Sequence, residues 1–266
     1  MSENKKCNDN RTGVPNKLNS MSRETVEKLS LELSGKTPEE IIRRAVEFFG
    51  VSSTALASSF GAEDQVITDI LHHEKLQVPV FTLDTGRLPQ ETYDVLDATR
   101  KRYGINIEVL FPETSAVEAM VTSHGANLFY ESVELRKECC RIRKVQPLIK
   151  KLSTLKAWIC GLRREQSVTR TAVAPVEWDA AFGLYKINPL AEVSEAWVWD
   201  YIKTHSVPYN ALHDSGYPSI GCAPCSRAVK PGEDIRAGRW WWEIAEHREC
   251  GLDRKSSCRE RVCQYV

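Results

Sequence analysis

The stretch TALASSFGAEDQVITDILHH (residues 54–73) predicts a buried strand, a polar loop and an amphipathic helix in direct succession. The same order follows in VPVFTLD (78–84), which precedes the helical segment 89–104. Two further apolar runs, INIEVLF (105–111) and KAWICGL (156–162), supply a third and a fourth strand. Strands that alternate with helices of this length form βαβ units. We therefore predict an α/β fold with a mostly parallel sheet and helices on both faces.

Helical periodicity also marks the chain before the first strand and after the third. SRETVEKLSLEL (22–33) and TPEEIIRRAVEFFG (37–50) both have it. Thr37 suits the N-cap of the second helix, and Pro38 suits its first turn, where the missing N–H costs nothing. A longer helical stretch runs from about residue 131 to 153. These segments provide helices that can cover a parallel sheet.

Composition divides the chain into three parts. Residues 1–20 are polar and without periodicity, so we expect them to be disordered. Residues 21–240 are expected to form one α/β domain, which becomes rich in Gly, Pro and Cys after about residue 205. Residues 241–266 are expected to be a mobile C-terminal segment.

Charge and hydropathy exclude two classes of partner. Lys plus Arg number 36, as do Asp plus Glu, so no overall field favours nucleic acid or an acidic membrane surface. No apolar run approaches the roughly 20 residues that span a bilayer, and the N-terminus lacks the apolar segment of a secretory signal. We therefore expect a cytoplasmic protein. In that compartment nine cysteines indicate metal ligation or thiol chemistry, not a disulfide framework.

Polar loops follow three of the predicted strands, where an open α/β sheet binds ligands. SSFGAED (58–64) places hydroxyls and backbone N–H groups at a helix N-terminus, which favours a phosphate or sulfate. An ordinary strand-to-helix turn explains this loop equally well. GLRREQSVTR (161–170) supplies three arginines, which suit a bidentate grip on such oxygens, with a solvated charged surface as the alternative. Together with the loop after the second strand, the candidate binding residues are Ser58, Ser59, Phe60, Gly61, Asp64, Asp84, Thr85, Gly86, Arg87, Arg163, Arg164, Gln166, Ser167 and Arg170.

Four cysteines stand in two pairs, Cys139 and Cys140 in KECCRIRK and Cys222 and Cys225 in GCAPCSR. Thiolates are the usual ligands of zinc and of iron–sulfur clusters. Adjacent cysteines on one helix suit a cubane, whose iron corners lie apart, better than they suit one tetrahedral ion. We therefore predict a [4Fe–4S] cluster, with zinc and then two disulfides as the alternatives. Basic residues flank both pairs and indicate an anion nearby: Arg136, Lys137, Arg141, Arg143, Lys144, Arg227 and Lys230.

The C-terminal segment carries a candidate nucleophile. Cys250 lies in RECGLD, downstream of Arg236 and Arg239, and a thiol held near arginines has a lowered pKa. Cys258 and Cys263 share this segment, so spacing alone does not select Cys250. The other two are resolving thiols or simply exposed cysteines.

Seven motifs occur in the order SSFGAED, LDTGR, ECCRIRKVQPL, GLRREQS, GCAPCSR, RAGRWWWE and ECGL. This order resembles the assimilatory adenylylsulfate (APS) reductases, the cluster-bearing branch of the sulfonucleotide reductase family, from about residue 50 to 253. The resemblance implies the adenine-nucleotide hydrolase-like, PP-loop version of the Rossmann architecture. It also implies reduction of adenosine 5′-phosphosulfate to sulfite and AMP for cysteine synthesis, with thioredoxin as electron donor.

By this resemblance Cys139, Cys140, Cys222 and Cys225 match the four [4Fe–4S] ligands, and Cys250 matches the catalytic cysteine. We expect the thiolate of Cys250 to attack the sulfur of APS and to carry the product as an S-sulfocysteine. A thioredoxin thiolate would then release sulfite.

The resemblance also implies the residues that bind the substrate. Lys144 matches a lysine that links cluster and substrate electrostatically, and Arg236 and Arg239 match arginines near the phosphosulfate. The loops 58–64 and 84–87 would line the nucleotide pocket.

One position departs from the family motif, because Asp253 stands where a His usually follows ECGL. A carboxylate there repels sulfate unless it pairs with Arg254 or Arg248. We therefore expect weaker substrate binding or a compensating basic residue.

Other functions stay open. Relatives that use the 3′-phosphorylated nucleotide (PAPS) generally lack both cysteine pairs, so the pairs indicate APS, with a PAPS or dual reductase as the alternative. A PP-loop nucleotidyl transferase would use the same loops with ATP and magnesium, but it leaves ECGL unexplained. A non-catalytic iron–sulfur or zinc regulator leaves the nucleotide loops unexplained. A homo-oligomer is compatible with all of these.

Overall fold

Six strands form one sheet in residues 23–166 and 173–243, the parts of the chain that this computed structural model describes. The strands are β1 Thr54–Ala57, β2 Val80–Leu83, β3 Ile107–Leu110, β4 Ala157–Ile159, β5 Val176–Asp179 and β6 Leu184–Ile187. Their order across the sheet is β3-β2-β1-β4-β6-β5. Every neighbouring pair is parallel except β5 with β6. The predicted α/β class with a mostly parallel sheet is confirmed.

Helices cover both faces of the sheet. The described helices are α1 Arg23–Leu33, α2 Pro38–Phe49, α3 Ala62–His73, α4 Gln90–Tyr103, α5 Thr114–His124, α6 Val133–Cys140, α7 Gln146–Leu152 and α8 Glu195–His205. On one face Leu56 and Ile159 pack in a core with apolar residues of α1, α2, α3 and α8. On the other face Phe81 and Trp158 pack against Leu148 of α7. This division follows from the two-residue period of a strand, which sends successive side chains to opposite faces.

Local sequence explains where the helices begin. Thr37 caps α2 as predicted: its hydroxyl accepts from the backbone N–H of Glu40, whose carboxylate in turn accepts from the N–H of Thr37. Ser194 caps α8 by accepting from the N–H of Trp197. Among the described ranges, no helix combines the length and apolar composition needed to cross a bilayer.

The helical stretch predicted from about 131 to 153 is divided in two. After α6 the chain forms a π-helical turn, Arg141–Val145, and α7 then begins with Pro147 near its start. Proline lacks the N–H that would bond the carbonyl of Arg143, and its ring crowds that carbonyl, so the regular helix is interrupted there. The turn follows the cysteine pair directly.

Candidate active site

A cavity of about 360 Å³ opens at the carboxyl ends of β1, β2 and β4, and nine of the predicted site residues line it. This is the edge at which parallel sheets bind ligands. Three of the nine come from beyond the strand-end loops, from the π-helical turn and from the chain after GCAPCSR. The nine residues are Ser58, Ser59, Gly61, Asp64, Lys144, Arg163, Gln166, Arg236 and Arg239.

The loop after β1 is a tight, internally bonded turn. Asp64 accepts hydrogen bonds from both the backbone N–H and the hydroxyl of Ser59, each at 2.7 Å. Burial raises the pKa of Asp64 to about 6, although the bonds from Ser59 oppose the shift. Gly161 at the end of β4 lies so close that a Cβ there would overlap the Asp64 carboxylate. Phe60 is buried with a left-handed φ of 60°, so the loop is held in a conformation that few residues adopt.

The arginines after β4 are balanced by carboxylates. Arg163 is buried and pairs with Glu63 at 2.8 Å and with Glu165 at 3.3 Å. Arg164 pairs with Glu192 at 3.0 Å and, among the described residues, is not part of the cavity lining. These ion pairs leave less charge for an anion than the sequence alone suggested.

Part of the loop after β2 lies beside the cysteines, whereas Leu88 of the same loop lines the larger cavity. The hydroxyl oxygen of Thr85 is 3.2 Å from the Cys222 sulfur, and the carbonyl of Arg87 accepts from the N–H of Ala223 at 2.8 Å. Arg143 donates to the carbonyl of Thr85 at 2.6 Å. These bonds hold this part of the loop against the cysteine pairs, and its four predicted site residues are not among the described residues that line the larger cavity. The residues concerned are Asp84, Thr85, Gly86 and Arg87.

All four cysteines of the two pairs line one small cavity of about 20 Å³. Cys139 and Cys225 are buried, while Cys140 and Cys222 are partly exposed. Cys139 and Cys140 end α6 directly before the π-helical turn, and Cys225 closes a single helical turn that begins after Cys222. The fold therefore brings together the two cysteine pairs, which lie far apart in the sequence, as predicted.

The donor set fits a multi-iron cluster better than one ion. Four sulfurs around a tetrahedral zinc would lie about 3.8 Å apart, because each Zn–S bond is about 2.3 Å. In the described part of the chain, the one group of three or more ligand atoms within 4.8 Å of one another is Asp69, His73 and His205, so no three of these sulfurs are that close. Thiolates at wider spacing suit separate iron corners.

Basic residues set the electrostatics of the cysteine cavity. Burial alone would raise the pKa of Cys222, but the charges of Lys144, Arg239 and Arg143 and the hydrogen bond from Thr85 hold it below the ordinary value. Burial, and then the neighbouring Cys222, raise the pKa of Cys225 to about 12.

Lys144 lines both cavities, since it lies in the π-helical turn between them. Arg239 joins it at the larger cavity: it is buried, its guanidinium stacks 4.9 Å from the ring of Trp240, and its Nε has no hydrogen-bond partner in the described structure. A Cβ on Gly221 would overlap this guanidinium, so the glycine makes room for it. Lys144 and Arg239, which were predicted to lie near the substrate, therefore both line the larger cavity and both act on the Cys222 thiol.

A buried ion pair lies beneath the cysteines. Arg136 donates to both carboxylate oxygens of Glu243, at 2.9 and 2.8 Å, with side-chain exposures of 1% and 3%. The guanidinium of Arg136 also stacks 4.7 Å from the ring of Trp240. The pair ties α6 to the chain that follows Arg239.

His213 lines the cavity, although no motif or spacing in the sequence predicted it as a site residue. Its Nε2 has no hydrogen-bond partner among the described residues, and Trp199 packs against its ring at 5.3 Å. Burial lowers the pKa of His213, so the neutral ring is favoured. A lone histidine in a loop-rich segment has neither spacing nor periodicity to distinguish it.

Some predicted positions lie outside the described residues. They are the candidate nucleophile, its companion thiols and several charged or polar neighbours: Ser167, Arg170, Arg248, Cys250, Asp253, Arg254, Cys258 and Cys263. The predicted disordered segment 1–20 also lies outside, as does most of 241–266.

Comparisons with known proteins identify the family of the chain. The family model of the phosphoadenosine phosphosulfate reductase domain matches residues 53–228. The adenosine 5′-phosphosulfate reductase of Allochromatium vinosum is 53% identical over 205 residues, covering 77% of this chain and 80% of that protein.

Solved structures give the same fold. The phosphoadenylyl-sulfate reductase of Candida auris, in a phosphate complex, has a TM-score of 0.67 at 29% identity and covers 79% of this chain and 98% of its own. The FMN adenylyltransferase of Candida glabrata, at 15% identity, has a TM-score of 0.52 over 87% of this chain and 78% of its own, and it shows the fold alone. The predicted resemblance is confirmed: the chain belongs to the phosphoadenosine phosphosulfate reductase domain family, alongside the adenosine 5′-phosphosulfate reductases.

Proposed function

We propose that this chain reduces adenosine 5′-phosphosulfate to sulfite and AMP, with thioredoxin as donor, in cytoplasmic sulfate assimilation for cysteine synthesis. The position of Lys144 carries the proposal, because this one cation lines both the larger cavity and the cysteine cavity. The names of the similar reductases support the choice of substrate class.

The larger cavity offers what an adenylylated sulfate needs. Leu83 and Trp158 provide apolar surface for a purine, and Lys144, Arg236 and Arg239 provide cations for the phosphosulfate. Its volume of about 360 Å³ lies within the usual range of small-molecule pockets.

Cys139, Cys140, Cys222 and Cys225 would hold a [4Fe–4S] cluster, whose contribution when bound is electrostatic and structural, since the reaction takes its electrons from the donor thiols. Lys144 can then face the anionic thiolates and the substrate together, which lowers the cost of bringing them close.

In the first step the thiolate of Cys250 attacks the sulfur of APS. An S–S bond forms, the bond between sulfur and the bridging phosphate oxygen breaks, and AMP leaves with the electron pair. The approach brings an anion to an anion. Lys144, Arg236 and Arg239 would screen the sulfate and stabilise the charge that develops on the leaving phosphate.

In the second step a thioredoxin thiolate attacks the Cys250 sulfur of the S-sulfocysteine. A mixed disulfide forms, and sulfite leaves with the electron pair of the broken S–S bond. The second thioredoxin cysteine resolves the mixed disulfide, so the two electrons that reduce the sulfur come from the thioredoxin dithiol.

Labelled APS and purified protein without reductant test the first step. Mass analysis should find one sulfonate on Cys250, lost in Cys250→Ser and retained in the matched control Cys258→Ser. No adduct, or an adduct lost only in Cys258→Ser, would contradict the assignment. No binding of labelled APS would favour the non-catalytic regulator.

Steady-state reduction of APS and of PAPS, each with reduced thioredoxin as donor, tests nucleotide choice. The name of the matching domain family includes the 3′-phosphorylated substrate, whereas the similar curated protein is named for APS. We expect a higher kcat/KM for APS, because both cysteine pairs are present. Equal values would make the chain a dual reductase.

A further inference from the structure

Away from the cavity, three metal-ligand side chains converge where α3 and α8 end. Asp69 and His73 are one turn apart on α3, and His205 is the last residue of α8. Their ligand atoms all lie within 4.8 Å of one another, and Nε2 of His73 is 3.5 Å from Oδ2 of Asp69. Ligands on a tetrahedral zinc lie about 3.3 Å apart, because Zn–N and Zn–O bonds are about 2.0 Å. Small rotations of the two exposed imidazoles would close the remaining gap.

The carboxylate of Asp69 is already oriented. Its side chain is fully buried, and it accepts one hydrogen bond from the hydroxyl of Tyr103 at 2.8 Å and one from Tyr201 at 3.0 Å. Each oxygen keeps a second lone pair. Burial, and then the Asp69 carboxylate, raise the pKa of both tyrosines, so they remain protonated donors. Hydrogen-bonded partners of this kind fix metal ligands in known sites.

The backbone also favours a cation at this point. α3 ends at His73 and α8 ends at His205, so the negative ends of two helix dipoles converge. Arg102 donates to the carbonyl of His205 at 2.7 Å, which holds the end of α8 in place. A buried carboxylate, two imidazoles and two helix C-termini make a better cation site than any of them alone.

We propose that Asp69, His73 and His205 form a second metal site, which binds one Zn²⁺ with water as the fourth ligand. Two imidazole nitrogens and one carboxylate oxygen suit zinc and its neighbours in the transition series, and they do not suit Ca²⁺ or Mg²⁺, which prefer oxygen ligands.

This site would be structural. α3 begins at the larger cavity, with Asp64 in its first turn, and His73 lies at its other end, roughly 18 Å away for a helix of this length. The ion would join the ends of two helices on one face of the sheet. It would also fix the start of the segment that leads from α8 to His213, which lines the cavity.

The proposal predicts a difference in zinc stoichiometry. Zn²⁺ is titrated into the full chain under reducing conditions, and tightly bound equivalents are counted for the wild type, His73→Ala, His205→Ala and His72→Ala. The cysteines bind equally in all four proteins, so they cancel in the comparison. His72 is the matched control, because it is an exposed histidine on the same turn that is not part of the group.

We expect the wild type and His72→Ala to bind one more equivalent than His73→Ala and His205→Ala. Equal stoichiometry in all four proteins would overturn the site. Both tested histidines are exposed, so their replacement leaves the core intact.

Discussion

Two regions rich in basic residues border the larger cavity: the strand-end loops, and the cysteine side, which is formed by Lys144, Arg236 and Arg239. The two regions differ in what their basic side chains contact. At the strand ends Arg163 and Arg164 are held by glutamates. On the cysteine side Lys144 and Arg239 act on the Cys222 thiol and line the larger cavity. The arginine-rich motif of the sequence therefore lies at the strand ends, where Arg163 and Arg164 are paired, whereas the cations that act on the Cys222 thiol lie on the cysteine side.

The largest expected effect concerns the buried ion pair between Arg136 and Glu243, which ties α6 to the chain after Arg239. Arg136→Met or Glu243→Gln alone leaves a buried charge without its partner and should lower the free energy of unfolding by about 3–5 kcal/mol. The double variant Arg136→Met/Glu243→Gln removes both charges and should recover most of the loss. Urea unfolding measures all three. A double variant as unstable as the sum of the singles would show that the ion pair does not hold this region.

The second test compares cations of the two regions. Lys144→Met should lower kcat/KM for APS by about 100- to 1000-fold, because an anionic transition state loses a positioned cation. Arg164→Met is the control, since Arg164 pairs with Glu192 at the strand-end side. We expect it to retain activity within a few-fold. Equal losses in the two variants would break the distinction between the regions.

The third test measures how much the burial of the Asp64 carboxylate in the strand-end loop destabilises the protein. The pKa of Asp64 is raised from 3.8 to about 6, so between these values the native state binds more protons than the unfolded state. Stability should fall as pH rises through this window, by up to about 3 kcal/mol. Asp64→Asn keeps an oxygen that can accept from Ser59 and should abolish this part of the pH dependence. Denaturant unfolding at about pH 4.5 and about pH 7.5 measures it; parallel curves for both proteins would contradict the burial argument.

The smallest expected effect is on KM for APS, and it is tested by replacing one glycine in each region. Gly221→Ala would push the guanidinium of Arg239 aside and should raise KM for APS about tenfold, the effect of about 1.4 kcal/mol. Gly61→Ala, at the strand-end loop, meets only the Ser59 hydroxyl at 3.5 Å, with an ordinary φ of −69°, and should leave KM nearly unchanged. Iron content is measured in both, because Gly221 precedes a predicted cluster ligand.

Periodicity was sufficient for four of the strands, for α1 to α4 and for the helical stretch that contains α6 and α7, whereas α5 and α8 were not predicted. β5 and β6 went unrecognised because the pair forms an antiparallel hairpin in a segment without alternating βαβ order. A smooth helical pattern also conceals a π-helical turn, since apolar spacing changes little when one residue is added.

The site was predictable where chemistry is carried by residue type. The cysteine pairs and Lys144 were found from their motif, and the structure brings them together. The direction of a loop was not predictable: strand ends placed Thr85 at the right edge, but its bonds to the cysteine side follow from tertiary contacts. The pairing of Arg163 with Glu63, which lies 100 residues away in the sequence, was equally unpredictable.

The number of residues in the π-helical turn determines where Lys144 lies around the helix axis relative to the cysteines. A π turn is an α-helix with one residue inserted, and each residue of a helix adds about 100° of rotation. Deleting a single residue from 141–143 would carry Lys144 about a quarter turn around the axis relative to Cys139 and Cys140. The chain could keep every ligand and every cation and still lose the alignment that lets one side chain reach both pockets.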